Sequence, residues 1–247
     1  MNPILTITSP RPREFLPTGI WQLDHVLGGG ISAGADAPRG LVKGALTLLS
    51  AEVPGENSAI GIRVAAHVAE AIAAGSHADK RVLYLYGRGS AAKFLKVASA
   101  ARPCRGLPGN LDYLARSSGI CVDALAHDIS KYSLVVVDDL GHCRGGGYAL
   151  GSWQAQEVAA KLLSPRFEKA AQGPAILILH ARARNGEIRG PEMIQRLVDV
   201  ILYVNRDRFP AGRPDPIYRE IVCDKNRHAS CAEERCIPAC DIFGSSS

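Results

Sequence analysis

Residues 48–62, "LLSAEVPGENSAIGI", contain the transition that decides the fold. An apolar run ends at Ser50, a loop with Pro54 and Gly55 follows, and a segment with helical periodicity begins at Ile60. A strand, a short loop and a helix in this order are the building unit of parallel sheets. The stretch therefore predicts an α/β fold with a mostly parallel β-sheet flanked by helices.

The same alternation continues along the chain, with strand-length apolar runs separated by helical segments. The predicted strands are 45–50, 82–86, 111–114, 134–138, 175–180, 200–204 and 218–223. The predicted helices are 60–74, 90–101, 121–129, 153–171 and 191–197. Ligands of such folds bind at the carboxyl ends of the strands, which places residues 50–58, 87–90, 138–139 and His180 along one edge of the sheet.

Composition indicates one domain with a sizeable core, because 47% of the 247 residues are hydrophobic. We expect an entry segment at 1–43 that packs on the core, the core itself at 44–230, and a cysteine-containing tail at 231–247. The chain shows neither a run of about 18 apolar residues nor a secretory signal, so we expect a cytoplasmic protein without a membrane segment. The net charge is a modest +5.

The loop after the first predicted strand stands where a phosphate-binding loop, G-x-x-x-x-G-K-[ST], is expected. Ala51 and Glu56 occupy its glycine positions and Asn57 occupies its lysine position, whereas Ser58 fits the pattern. The candidate nucleotide-binding residues are Pro54, Gly55, Glu56, Asn57, Ser58 and Asp138. Relative to Gly and Lys, Glu56 and Asn57 change the local charge by about −2, and unit charges 4 Å apart interact by roughly 4 kcal/mol near protein surfaces.

Five segments together resemble the ATPase core of the RadA (Sms) proteins within the RecA-like P-loop family. They are "PTGIWQLDHVLGGG" (17–30), "LYLYGRGSAAKFLKVA" (83–98), "LVVVDD" (134–139), "GEIRGPEMIQRLVDVILYVNRDR" (186–208) and "DKNRHAS" (224–230). The resemblance implies a RecA-like fold, ATP with Mg²⁺ as cofactor, and DNA as partner.

The departures from that family fall on its chemistry. Family members end the strand before residue 87 with Gly-Glu-Glu-Ser, whose carboxylate activates water, but this chain has Arg88 and Gly89 there. The resemblance assigns Mg²⁺ to Ser58 and Asp138, the latter as the Walker B aspartate. We therefore expect weakened Mg-ATP binding and impaired hydrolysis. In an alternative, Arg88 supplies the missing cation; in another, Asp138 only caps its loop.

Two basic segments are candidates for DNA or subunit contacts. The resemblance assigns Lys225, Asn226 and Arg227 to a neighbouring subunit's nucleotide and to DNA-linked function. Three arginines follow the His180 strand on the face that this family turns toward DNA: Arg182, Arg184 and Arg189. Such residues would bind phosphates without reading sequence. Solvated basic loops are the alternative in both cases.

Four cysteines crowd the C-terminal end: Cys223, Cys231, Cys236 and Cys240. Their spacing is looser than that of an ordinary zinc knuckle, so packed or exposed thiols are favoured over a zinc site, with disulfides least favoured. Trp21 is expected to pack the entry segment onto the core.

Three functions remain open on these observations. The first is a RadA-like pseudo-ATPase of recombination or repair that binds DNA or repair proteins, in a homo- or hetero-oligomer. The second is an active ATP-dependent DNA motor with a rearranged nucleotide site. The third is a RecA-like accessory protein of mutagenic repair that acts by protein contacts alone.

Overall fold

The structure is a computed structural model and describes residues 14–30, 39–75, 79–103, 105–121, 129–150, 152–163, 173–180, 182, 192–208 and 214–243. Its helices are α1 (Trp21–Leu27), α2 (Glu56–Ala74), α3 (Ala91–Ala101), α4 (Trp153–Leu163), α5 (Glu192–Leu197) and α6 (Ala239–Phe243). Its strands are β1 (Phe15–Leu16), β2 (Leu41–Val42), β3 (Leu46–Ala51), β4 (Arg81–Tyr86), β5 (Leu111–Ala115), β6 (Ile120–Cys121), β7 (Tyr132–Asp138), β8 (Cys143–Arg144), β9 (Ala175–Leu179), β10 (Val200–Arg208), β11 (Pro214–Asn226) and β12 (Glu233–Pro238).

An eight-stranded sheet forms the centre of the molecule, in the order β12-β11-β10-β3-β9-β7-β4-β5. The strands from β10 to β5 are all parallel to their neighbours, and β11 and β12 extend the sheet in antiparallel fashion. The predicted α/β class with a mostly parallel sheet is confirmed. Most of the predicted helix at 121–129 lies outside the described residues.

The two faces of the sheet carry separate apolar layers, because successive strand residues point to opposite faces. Leu49 of β3 belongs to the layer that holds Val64 of α2 and Phe94 of α3. Its neighbour Leu48 belongs to the opposite layer, with Ala159 of α4 and Ile194 of α5. Burial on both faces explains why the central strands are continuous apolar runs rather than alternating ones.

The described residues around α1 pack on the core through aliphatic side chains, and the prediction for Trp21 is wrong. Ile20, Leu23 and Val26 are buried, whereas Trp21 is 64% exposed and its ring centroid lies 6.2 Å from that of His25. The buried residues of α1, Gln22, Leu23, Val26 and Leu27, lie on one face of the helix, and position 21 lies outside that face.

The segment predicted as a tail contributes to the sheet. Strand β12 pairs with β11 in antiparallel register, with Tyr218 opposite Pro238, and α6 follows it directly. Ile237 and Ile242 are buried against the same layer as α2. β12 is an edge strand, and charged residues such as Glu233 and Glu234 are usual at sheet edges, which hides the strand from a search for apolar runs.

The carboxyl ends of the central strands meet at one edge of the sheet. In the strand register Tyr86 lies opposite Asp138, Asp138 opposite Leu179, and Leu179 opposite Leu49. The predicted common edge is therefore confirmed. Within the described part of the chain, every helix is too short or too polar to cross a membrane.

Candidate functional site

The loop between β3 and α2 lies at this edge and has the backbone form of a strand-to-helix connection. β3 ends at Ala51 and α2 begins at Glu56, with Gly55 as its N-cap at φ 91°. A positive φ of this size favours glycine, which explains the residue at that position. The first amide groups of α2 have no partners within the helix, so a helix start in this place suits an anion.

Asn57 stands at the lysine position and bridges two strand ends. Its Oδ1 accepts a hydrogen bond of 2.6 Å from the amide of Ala51, and its Nδ2 donates one of 2.9 Å to the carbonyl oxygen of His180. The side chain is buried. Both ends of the amide therefore bind backbone groups of this chain, and β3 and β9 are joined through it.

Glu56, at the second glycine position, forms an ion pair with Arg219 of β11. Arg219 donates from Nη2 to Oε1 at 2.6 Å and from Nε to the same oxygen at 3.1 Å. The side chains of Arg219 and Glu56 are only 7% and 11% exposed. Because the pair is largely desolvated, each charge depends on the other.

The Glu56–Arg219 pair is packed beneath the C-terminal helix. The Arg219 guanidinium lies 5.6 Å from the ring centroid of Phe243 in α6. Arg63, two turns into α2, donates 3.0 Å from Nη1 to the carbonyl oxygen of Asp241, also in α6. The start of α2 is thus held from the side of β11 and α6.

Sequence reasoning did not identify Arg219, although β11 carries a signal for it. Arg219, Ile221 and Cys223 alternate along the strand and all three are buried. A charged residue in phase with two buried apolar ones needs an opposite charge nearby, since unpaired buried charge is costly. The sequence therefore indicates that Arg219 has an acidic partner. It does not identify that partner, because Glu56 is 163 positions away along the chain.

Asp138, at the end of β7, is buried, and its carboxylate lies beside the hydroxyl groups of Tyr84 and Ser58. Tyr84 donates from its hydroxyl to Oδ2 at 2.9 Å. Burial raises the pKa of Asp138 above its usual value, while Ser58 and Tyr84 act in the opposite direction. Ser58 and Asp138, the two candidate Mg²⁺ residues, are thus brought together.

Arg88 lies beside the neighbouring carboxylate. Its Nε is 3.5 Å from Oδ2 of Asp139, and His142 Nδ1 is 2.7 Å from Oδ1 of the same residue. The carbonyl oxygen of Arg88 accepts a hydrogen bond of 3.1 Å from Lys93 Nζ. A Cβ at Gly89 would lie 2.6 Å from Lys93 Cδ, so this turn is closely packed.

Arg182 packs beside the loop. It donates 3.2 Å from Nη2 to the carbonyl oxygen of Ser50, and its guanidinium carbon lies 4.4 Å from the ring centroid of Tyr203. Burial lowers its pKa below the usual value. Arg184 and Arg189 lie outside the described residues.

Lys225, Asn226 and Arg227 bind groups within the chain. Lys225 Nζ donates to the carbonyl oxygens of Gln195 and Val198 at 2.8 and 2.6 Å, at the C-terminal end of α5. Asn226 donates from Nδ2 to the carbonyl oxygen of Leu27 at 3.1 Å, and Arg227 donates from Nη1 to Oδ1 of Asp199 at 3.1 Å. Each contact stabilises a neighbouring helix or turn, and their assignment to DNA or a second subunit stays a prediction.

The C-terminal cysteines occupy different environments. Cys223 is buried, contacts Cys231 and has a pKa raised to about 12, chiefly by burial. Cys231 and Cys240 are exposed. Cys236 lies in β12, but its side chain is outside the described set. The described residues contain no group of three or more His, Cys, Asp or Glu side chains that could hold a metal ion.

The thiol environments predict a labelling pattern. Because burial raises the pKa of the Cys223 thiol to about 12, its reactive thiolate form is scarce in the folded protein near pH 8. Cys143 is also buried with a pKa raised to about 12. We expect iodoacetamide to modify Cys231 and Cys240 and to spare Cys143 and Cys223, as read by peptide mass spectrometry. Early modification of Cys223 in the folded protein would contradict this placement.

Solved structures show which fold the chain has. The chain superposes on a DnaB-like replicative helicase with a TM-score of 0.62 at 12% identity, covering 92% of this chain and 62% of that one. It superposes on the ATPase domain of G40P with a TM-score of 0.60 at 14% identity, covering 89% and 86%. The chain therefore has the RecA-like P-loop ATPase fold.

Sequence relatives narrow the class. The DNA repair protein RadA of Mycolicibacterium smegmatis is 35% identical over 222 residues, 86% of this chain and 42% of the relative. RadA of Mycobacterium tuberculosis is 30% identical over 214 residues, 85% and 40% of the two chains. No protein-family model matches. The chain is thus a RadA-like protein, and it spans less than half the length of these relatives.

Proposed function

We propose that this chain is a DNA repair protein of the RadA type that acts by binding DNA or repair proteins and does not hydrolyse ATP. The observation that carries the proposal is the state of the loop between β3 and α2. The side-chain amide of Asn57 is hydrogen-bonded to the backbone of Ala51 and His180, and Glu56 forms an ion pair with Arg219. The two positions that differ most from a phosphate loop are built into internal contacts.

Arg219 makes the charge of the loop less negative than the sequence alone indicates. Glu56 does not stand as a bare negative charge, since the Arg219 guanidinium offsets it at hydrogen-bond distance. What the loop lacks is the lysine cation, whose interaction with a phosphate oxygen 4 Å away would be worth roughly 4 kcal/mol before screening. A triphosphate in the usual pose would therefore meet no compensating charge from position 57.

The residues at the end of β4 support the absence of hydrolysis. Arg88 and Gly89 hold the positions at which the family carries its water-activating carboxylate, and neither accepts a proton at neutral pH. Arg88 is 3.5 Å from Asp139 rather than free to replace the loop lysine. This contact weighs against the active motor with a rearranged site.

DNA binding is proposed for the segment that follows β9. Arg184 and Arg189 are the residues for this role, because Arg182 is already engaged with Ser50 and Tyr203. Basic side chains that contact phosphates give salt-dependent binding without sequence preference.

Removal of these two arginines is expected to weaken single-stranded DNA binding. Each lost phosphate contact lowers the log–log salt slope by about 0.7, so Arg184→Gln/Arg189→Gln is expected to lower it by about 1.4. Fluorescence anisotropy across a salt series measures the slope. Arg116→Gln/Arg144→Gln removes the same charge from exposed positions and serves as the control. Equal slopes for both double variants, or no binding by the unmodified chain at low salt, would contradict the proposal.

Calorimetric titration with Mg-ATP tests the nucleotide half of the proposal. We expect no binding at the loop, so any saturable heat is expected to be the same for the unmodified chain and for Asp138→Ala, which alters this edge of the sheet. Micromolar affinity that Asp138→Ala abolishes would refute the proposal. Absence of both ATP and DNA binding, with a stable protein partner recovered, would instead favour an accessory protein that acts by protein contacts.

A further inference from the structure

A basic cavity lies between α2 and α3, away from the loop. Its volume is about 350 Å³, and its wall includes Arg63, His67, Glu70, Arg102 and Arg105. At 1.5 Å of rise per residue, Arg63 and Glu70 lie about 10 and 21 Å along α2 from Glu56. We call this space the α2–α3 cavity. Its volume is at the lower end of the range for ligand sites.

Arg102, directly after α3, is the central residue of the cavity. Its side chain is only 8% exposed, and its Nη2 donates to Glu70 Oε1. Its Nη1 is buried, and no acceptor among the described residues contacts it. A buried charged donor without a partner is costly, so an acceptor entering the cavity would relieve that cost.

Other cations surround this donor. Burial lowers the pKa of Arg63; the nearby Asp241 carboxylate opposes this fall, and repulsion from Arg102 adds to it. Arg105 is exposed at the rim. Among the described residues, the lining thus carries three guanidinium groups and one carboxylate, that of Glu70, while the Asp241 carboxylate interacts with Arg63 from outside the lining. Arg63 has a further acceptor outside the cavity, the Asp241 carbonyl oxygen.

We propose that the α2–α3 cavity binds a phosphate group, with Arg102 Nη1 as the buried donor and Arg63 and Arg105 completing the positive surroundings. The planar guanidinium presents several N–H donors and forms strong, charge-assisted hydrogen bonds with phosphate oxygens. The positive excess of the lining matches a multiply charged anion better than a single carboxylate. This site is independent of the loop between β3 and α2.

Isothermal titration with sodium pyrophosphate at constant ionic strength tests the proposal, with ADP as a second titrant. We expect saturable binding that falls about tenfold or more in Arg102→Gln and measurably in Arg105→Gln, since each variant removes a charged donor. Arg144→Gln, an exposed change of the same charge, is expected to bind as the unmodified chain does. Tighter binding of ADP with the same Arg102 dependence would identify a nucleotide as the source of the phosphate; equal or weaker binding would identify a small inorganic ligand.

Two controls keep the outcome decisive. Arg102→Gln leaves Glu70 without its partner, so the double variant Arg102→Gln/Glu70→Gln removes both charges of the pair. Arg105→Gln changes the rim of the cavity and leaves the buried pair intact. Loss of pyrophosphate affinity in Asp138→Asn, which alters the nucleotide edge, would place the anion at that edge and overturn the proposal. Absence of saturable binding by the folded chain, or binding insensitive to both Arg102→Gln and Arg105→Gln, would overturn the proposal.

Discussion

Replacement of Arg219 by Met is expected to lower the free energy of unfolding by about 3–5 kcal/mol, the usual cost of leaving a buried charge without its partner. Glu56 is only 11% exposed, and Arg219 provides two of the hydrogen bonds that satisfy it. Urea denaturation followed by circular dichroism measures the change. The double variant Glu56→Leu/Arg219→Met removes both charges and is expected to recover most of the loss.

The chain offers a matched control for this pair. Arg81 binds Asp112 through two nitrogens in the same way, but those side chains are 38% and 36% exposed. Exposed pairs contribute about 0–1 kcal/mol, so Arg81→Met is expected to cost little. If Arg219→Met lowered the free energy of unfolding no more than Arg81→Met does, the Glu56–Arg219 pair would contribute no more to stability than an exposed pair.

Rebuilding the loop is expected to create Mg-ATP affinity that the natural sequence lacks. Glu56→Gly/Asn57→Lys/Arg219→Met restores the second glycine and the lysine and removes the arginine that would otherwise be left buried. One cation 4 Å from a phosphate is worth roughly 4 kcal/mol before screening, so the gain is up to about a thousandfold. Calorimetry with Mg-ATP compares the variant with the unmodified chain.

The single variant Asn57→Ala separates two causes of weak binding. It releases the Ala51 amide and the His180 carbonyl but adds no charge. We expect it to gain no ATP affinity over the unmodified chain, because the missing cation is the larger effect. If Asn57→Ala alone bound Mg-ATP as tightly as the rebuilt loop, the bridge rather than the charge would be the obstacle.

The sequence predicted those features that repeat along the chain. Buried strands such as Leu46–Ala51 and Tyr132–Asp138 are apolar throughout, so their number, type and common edge follow from periodicity and from the geometry of parallel sheets. The substitutions at Glu56, Asn57 and Arg88 were visible because a fixed motif defines what should stand at those positions.

Pairings between distant residues did not follow from the sequence. The partner of Glu56 comes from β11, and the partners of Asn57 are backbone groups of β3 and β9 that have no sequence signature. The exposure of Trp21 follows from its phase on α1, which its residue type does not reveal. The strand β12 has no clear sequence signal, because an edge strand with charged residues lacks an apolar run.

ATP turnover by the purified chain, with and without single-stranded DNA, tests the central claim most directly. Asp138→Ala serves as the background control, since any nucleotide chemistry at this edge would depend on that carboxylate. We predict equal, baseline phosphate release from the unmodified chain and the variant, whether DNA is present or absent. Phosphate release that DNA stimulates and that disappears in Asp138→Ala would contradict the account.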